Sequence, residues 1–553
     1  MFSLLCAQSL GACSPPPEIR PVAPATSQEA SASQPKFGSD PLDLAQTPER
    51  GAEVLVQRYT DRILAWKHAP EYVSRVESED RPIIESAVNG APSLFRQIAE
   101  SENCPLAEMK TRWVALQEAD ILLESSGDPD AMSGSHAAGV AQWMAATGQG
   151  AGLRLDPARS TALTARIEPL EVETAWLRYL ASPGADLSVR GAPSILPDAA
   201  ARLLPERELL LSRLRAERRR CDDRFVPERA LRAQTLYLAR LYRLFPSMDW
   251  LYQAYHGGEG GVGRLLRLYR SGAWSGTAAA IGSGARRLTF ERVYATVRPG
   301  AHGKAFSYLF SRSDDHRHYW WKLRACEHVI ARFRRDKEQF KKSWLDHLPG
   351  RPQEALWYPD APRYAVQTAD ALASVLRTGT VLPVTSVKGM SAAQTPYGPR
   401  QDSFHAAARP ETLGLLKLVS DIYRKNGAVS GLTAGDLMLS SEDLRTRAAA
   451  MPLPVRQFPP DIDAQHPPGG GPPIGFDYHT TGLAADIIRP PDQTSARVLD
   501  YTLDYLAERD LLTRTDRKDH GFARTHLVPN PRFGRWLRNY LNTSLPTDQS
   551  NSG

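Results

Sequence analysis

Cysteine is scarce in this chain: five residues in 553. Two of them, Cys6 and Cys13, fall within the first thirteen positions, which leaves Cys104, Cys221 and Cys326 for the body of the protein. Three is an odd number, so at most one intramolecular disulfide forms, and a disulfide-built scaffold is excluded. Long apolar runs are also missing. Past the N-terminus no stretch reaches the roughly 20 apolar residues that a membrane-crossing helix needs. Nor is there a large excess of one charge. The formal net charge of +6 favours a mildly anionic partner. Nucleic acid is not the expected one, because clusters such as Arg332-Phe333-Arg334-Arg335 sit among helix formers with no recognisable binding module. What remains is ordinary globular composition, 42% hydrophobic and 24% charged, in a chain long enough for two to four domains.

The N-terminus has a short apolar stretch ending Leu10-Gly11-Ala12-Cys13, followed by Ser14-Pro15-Pro16-Pro17. A basic segment ahead of the apolar one is absent. Residues 14–41 are rich in Pro, Ser and Ala and read as a flexible tether. Residues 1–13 resemble a bacterial lipoprotein signal. That resemblance implies a lipid anchor at Cys13 and a periplasmic protein held on the outer membrane. A thiol on a disordered cytosolic tail is the alternative.

From about Leu42 to Lys341 apolar residues recur at helical spacing, as at Ala52, Leu55, Val56 and Tyr59. The stretch from Ala107 to Leu123 is apolar enough for a buried helix. It runs into Glu124-Ser125-Ser126-Gly127-Asp128-Pro129, and a small-residue loop continues to Gly139-Val140-Ala141-Gln142-Trp143. This places the Glu124 carboxyl at a helix C-terminal end facing a loop-lined cleft, a setting in which a carboxyl acts as a general acid. The neighbouring acids Asp120, Asp128 and Asp130 are all local in sequence, and Asp128-Pro129 reads as a turn.

This segment resembles the soluble lytic transglycosylase family, which cleaves peptidoglycan strands on a goose-lysozyme-like helical fold. Glu124-Ser125, Ala131, Ser133, Ala137, Gly139, Gln142 and Thr147 match its first block. Ala254-Tyr255-His256-Gly257-Gly258 stands where the second block has Ala-Tyr-Asn-x-Gly, so His256 replaces the usual Asn. The resemblance implies that Glu124 is catalytic and that Ser133, Gln142, Tyr255 and His256 contact substrate. It implies no cofactor for this domain, and a product closed by the sugar's own C6 hydroxyl into a 1,6-anhydro ring. The interval of about 154–221 is longer than the family norm and reads as an insertion, either a solvated helical excursion or a substrate clamp. The aromatics Tyr319-Trp320-Trp321 read as core, in one long helix ending near Phe340.

A second constellation is His479-Thr480-Thr481-Gly482-Leu483-Ala484-Ala485-Asp486, with Asp486 leading into apolar Ile487-Ile488. Imidazole and carboxylate are normal zinc ligands. His526 is the best third candidate and His520 the second. The pattern resembles the zinc D-alanyl-D-alanine carboxypeptidase and dipeptidase family, which implies zinc on His479, Asp486 and His526 in an α+β fold. Ala523 stands where many members carry the glutamate that activates water. Three states are therefore open: an active peptidase, a zinc-retaining binding domain, or a degenerate structural one.

The expected layout is multidomain. A mainly α, lysozyme-like transglycosylase domain (42–345) leads through a linker (346–363) to an α+β zinc-peptidase-like domain (364–545). The expected partners are peptidoglycan glycan strands and stem peptides. The rival functions are a lysozyme-type muramidase and a non-catalytic cell-wall-binding scaffold.

Overall fold

A computed structural model describes residues 48–64, 66, 68–182, 196–270, 281–282, 287–347, 357–358, 360–388, 390–392, 406–435, 437–438, 478–519 and 522–542. The signal-like segment with Cys13, the tether, most of the expected linker and His520 lie outside the described residues. Cys104, Cys221 and Cys326 form no disulfide with one another. No helix among the described residues is long and apolar enough to cross a membrane.

The chain is mostly helical, with a small mixed sheet near its C-terminal end. The helices that build the argument are α1 (Pro48–Leu64) and α2 (Leu106–Ser125). α2 is central and therefore apolar on nearly every side: Met109, Trp113, Leu116, Ala119, Ile121 and Leu122 are all buried. It ends because Ser126 turns left-handed, at φ 56°, followed by Gly127 at 71°.

The interval read as an insertion is an antiparallel hairpin of α3 (Pro157–Leu180) and α4 (Pro197–Cys221). Small apolar clusters hold it, including Leu163, Ile167 and Leu214. Exposed pairs such as Arg159–Glu217 and Arg178–Glu208 decorate it, and such pairs contribute little each. Then follow α5 (Pro227–Leu244), α6 (Met248–Gly257), α7 (Phe290–Thr296) and α8 (Asp314–Arg335). The single tail helix expected from the sequence is two: it breaks at Asp336 and resumes as α9 (Lys337–His347). Asp336 takes an extended backbone there and its carboxylate accepts from the Gln339 amide, an N-cap that starts the next helix.

Among the described residues the C-terminal part has seven strands: β1 (Leu382–Pro383), β2 (Met390–Ala392), β3 (Ala407–Ala408), β4 (Leu432–Ala434), β5 (Ala485–Ile488), β6 (Leu512–Asp519) and β7 (Phe522–Pro529). β1 pairs with β3, and the other five form one sheet in the order β2-β4-β5-β7-β6. The β2–β4 pairing is parallel and the remaining pairings in that sheet are antiparallel. Helices α10 (Pro410–Lys425), α11 (Gln493–Ala507) and α12 (Gly534–Leu541) cover it.

One continuous core joins the helical part to the sheet part, from Leu55 through Trp320 to Leu506 and Tyr540. A buried ionic network runs through this junction. Asp504 of α11 meets Arg317 at 3.2 Å and Arg514 at 2.6 Å, with His318 Nε2 at 3.4 Å. Arg58 of α1 donates to the carbonyls of Ala507 and Leu512. Burial alone would raise the Asp504 carboxyl, but Arg317, His318 and Arg514 hold it below the ordinary carboxylate range.

Asp504→Ala is expected to cost about 3–5 kcal/mol, because it removes the anion between two buried guanidiniums. Chemical denaturation at neutral pH measures this. A carboxylate with a depressed folded pKa contributes stability above its unfolded value of about 3.9 and loses that contribution as pH falls. The gap between wild type and variant should therefore shrink on acidification.

Candidate functional site

Glu124 occupies the last turn of α2 and is partly exposed to a cavity of about 380 Å³. Tyr59 and Trp66 line one side of that cavity, and His256, Tyr319 and Lys322 the other. Two carboxylates are among the described lining residues, Glu124 and Asp315. Asp315 is at the exposed rim and is ion-paired with Lys322 at 2.5 Å.

Two groups address the Glu124 carboxyl. The Tyr319 hydroxyl is 2.7 Å from Oε1, and His256 Nδ1 is 3.3 Å from the same oxygen. The His256 ring stacks on the Tyr319 ring at 4.1 Å, so each fixes the other's orientation. His256 Nε2 is buried with no protein partner. Behind them, the Tyr319 hydroxyl also meets Asp120 Oδ1. Tyr319 is both core, as expected, and part of the site. Sequence reasoning missed this second role, and it missed Asp120. The available signal was spacing, since Asp120 and Glu124 are one helical turn apart and share a face.

The loop after α2 is tied down at several points. Ser125 Oγ donates to the Val140 carbonyl at 2.7 Å, so the Glu-Ser pair couples the acid to its loop. The Tyr255 hydroxyl donates to the Ala141 carbonyl at 2.6 Å. Gln142 donates to the Gly139 carbonyl at 2.9 Å, and Ser133 Oγ accepts from the Ala137 amide at 3.0 Å. Of the five residues singled out in this part of the chain, Glu124 and His256 line the cavity together. Ser133, Gln142 and Tyr255 lie outside that lining and shape the loop beside it. Asp128 forms the turn read from the sequence, accepting from the Asp130 amide at 2.9 Å.

The α3–α4 hairpin is anchored on this loop. Arg218 and Arg219 meet the Asp130 carboxylate at 3.1 and 2.7 Å, with Arg215 at 3.6 Å. Asp130 thereby ties the hairpin to the loop. Arg224, just beyond the hairpin, donates to the carbonyls of His136 and Trp143.

The second constellation also comes together. Asp486 and His526 face each other across β5 and β7, and His479 arrives from the short helical turn before Gly482. His479 Nε2 and His526 Nδ1 are 3.0 and 2.9 Å from Asp486 Oδ1, and 3.2 Å from each other. All three side chains are buried. His479 Nδ1 donates to the Leu437 carbonyl at 2.8 Å, which in a neutral imidazole leaves Nε2 as a lone pair. Two imidazole nitrogens and a carboxylate oxygen thus converge on one point. Two ligands at about 2.0–2.1 Å from a tetrahedral ion stand about 3.3 Å apart, close to the observed nitrogen separation. The donor set fits a zinc-type cation. Burial alone would raise the Asp486 carboxyl, but His479 and His526 hold it below the ordinary range.

The β5–β7 register is regular through Arg524, Thr525 and His526, so position 523 points to the opposite sheet face from His526.

Gly139 is demanded by this architecture. Its φ is 75°, and a Cβ there would stand 1.8 Å from the Arg224 carbonyl oxygen. Gly139→Ala should lose about 2 kcal/mol or more of stability in thermal melts. Gly134→Ala, which meets nothing within 4 Å, should stay within about 0.5 kcal/mol of wild type. No family model, no curated protein and no solved structure matches this chain.

Proposed function

We propose that this protein is a peptidoglycan lytic transglycosylase with Glu124 as its catalytic acid and base. The observation that carries the reading is the Glu124 carboxyl at a helix C-terminal end in a cavity, addressed on one oxygen by Tyr319 and His256. Glu124 gives a proton to the oxygen bridging MurNAc and GlcNAc, and the glycosidic bond breaks. The resulting carboxylate takes the proton of the C6 hydroxyl of the same MurNAc, whose oxygen closes on C1 as the 1,6-anhydro ring. An attached hydroxyl competes well with water because its effective concentration is high. His256 lines the cavity where the family has an amide side chain. The products carry the anhydro end, and the protein supplies no covalent nucleophile.

Asp315 supports a second reading. A rim carboxylate beside the cavity is where a general base for water would sit in a muramidase. Mass spectrometry of soluble products separates the two. Wild type should release anhydro-muropeptides, Glu124→Gln should lose at least about 100-fold in turnover, and Asp315→Asn should change little. Reducing-end products that vanish in Asp315→Asn would establish the muramidase instead. Binding without any product would leave a scaffold.

In the sheet part, His479, Asp486 and His526 would hold zinc, which when bound supplies a Lewis acid and an activated water. With Ala523 in place of the water-activating glutamate, retention of stem peptides is the reading best supported here, ahead of cleavage. Two activities on one polymer agree with a location at the cell wall, and we assign the protein to the periplasm through a lipid anchor at Cys13. The purified chain should retain stoichiometric zinc after dialysis, and His526→Ala should lose it by elemental analysis. A wild-type chain without zinc affinity would remove this assignment.

A further inference from the structure

Asp120 belongs to neither sequence block that pointed to the site, yet it stands directly behind it. The carboxyl is fully buried, one turn before Glu124 on α2. The described groups that face it are Glu124 on its own helix, Gln234 from α5, Tyr252 and Tyr255 from α6, and Tyr319 and Cys326 from α8. None of these is a cation. A carboxylate buried beside a second carboxyl is unfavourable, and taking up a proton relieves it. Burial first, and Glu124 second, drive the Asp120 carboxyl well above its ordinary range.

Hydrogen-bond accounting then gives a direction. Asp120 Oδ2 accepts from Gln234 Nε2 at 2.7 Å, so a proton on Asp120 sits on Oδ1, against the Tyr319 hydroxyl. A phenol has one proton and serves only one of its two carboxyl neighbours. With Asp120 donating to the Tyr319 oxygen, the Tyr319 proton goes to Glu124 Oε1. His256 addresses Oε1 as well, which leaves Oε2 for the substrate.

We propose that Asp120 is a positioning residue for Glu124: as a neutral acid it commits the Tyr319 proton to Oε1, and so keeps the transferable proton of Glu124 on Oε2. This rests on the reading of Glu124 as the general acid. Protons balance over a turnover. Glu124 loses its Oε2 proton to the leaving oxygen and regains one from the attacking hydroxyl. Asp120 and Tyr319 keep theirs throughout and stabilise the Glu124 charge in between. Ionisation of Asp120 at high pH would turn the Tyr319 proton away from Glu124, so kcat falls on the alkaline side.

Asp120→Asn is the informative variant, because the amide reproduces the neutral acid. Its Nδ2 donates to Tyr319 and its Oδ1 accepts from Gln234. We would measure kcat and KM against pH on purified peptidoglycan for the full chain and for Asp120→Asn, Asp120→Leu, Tyr319→Phe and Glu124→Gln. Circular dichroism and thermal melts would verify folding. Asp120→Asn should keep kcat within about fivefold of wild type near pH 6. Asp120→Leu and Tyr319→Phe should lose about 100-fold in kcat with KM little changed. An Asp120→Asn variant as inactive as Glu124→Gln would overturn the proposal, since it would make Asp120 an ionised base or nucleophile. Wild-type kcat in Tyr319→Phe would overturn it too, and decides the matter if changes at position 120 prevent folding. Full activity in Glu124→Gln would remove the general-acid reading itself, and the role of Asp120 with it.

Discussion

Three consecutive residues of one helix carry the architecture. Arg317 and His318 of α8 reach Asp504 in the sheet part, while Tyr319 reaches Asp120 and Glu124 in the helical part. Successive helix positions point about 100° apart, so one helix can serve two interfaces at once. The constraint is the burial of charge. Asp504 is tolerated because cations surround it, and Asp120 because a proton can neutralise it. The position of Tyr319 over Glu124 depends on both solutions holding together.

The loop that follows Glu124 is defined by backbone contacts more than by side chains aimed at the cavity. Ser125, Tyr255, Gln142 and Arg224 all bond loop carbonyls. Gly139 allows the chain to pass against Arg224, and the α3–α4 hairpin adds Asp130 as an ion-paired anchor. The hairpin stands closer to loop support than to either a purely solvated excursion or a clamp on substrate. Residues of this motif therefore serve the loop's geometry, with only some of them touching the cavity.

The two constellations use opposite electrostatics. Around Asp120, burial and the neighbouring Glu124 favour a proton on the carboxyl, against the hydrogen bonds of Tyr319 and Gln234. Around Asp486 two imidazoles favour the carboxylate, which suits a cation. The β5–β7 register places position 523 on the opposite sheet face from His526.

Much was legible in the sequence because it is local. The apolar stretch from Ala107 to Leu123 and the small-residue loop after it determine α2, and with it the helix-end place of Glu124. The run from His479 to Asp486 likewise determines a turn leading into a strand. The break at Asp336 was also local, but a cap is a weaker signal than a continuous apolar stripe, and the stripe obscured it. Long-range partners were not legible. Tyr319 lies 195 residues from Glu124, so nothing in its neighbours announces the contact, whereas His526, 40 residues from Asp486, was named beside it from the sequence. The sequence by itself determined which residues could do chemistry and on which elements they sit. Only the tertiary structure decided which of them meet, and which carboxyl holds a proton, because burial and cross-chain neighbours set both.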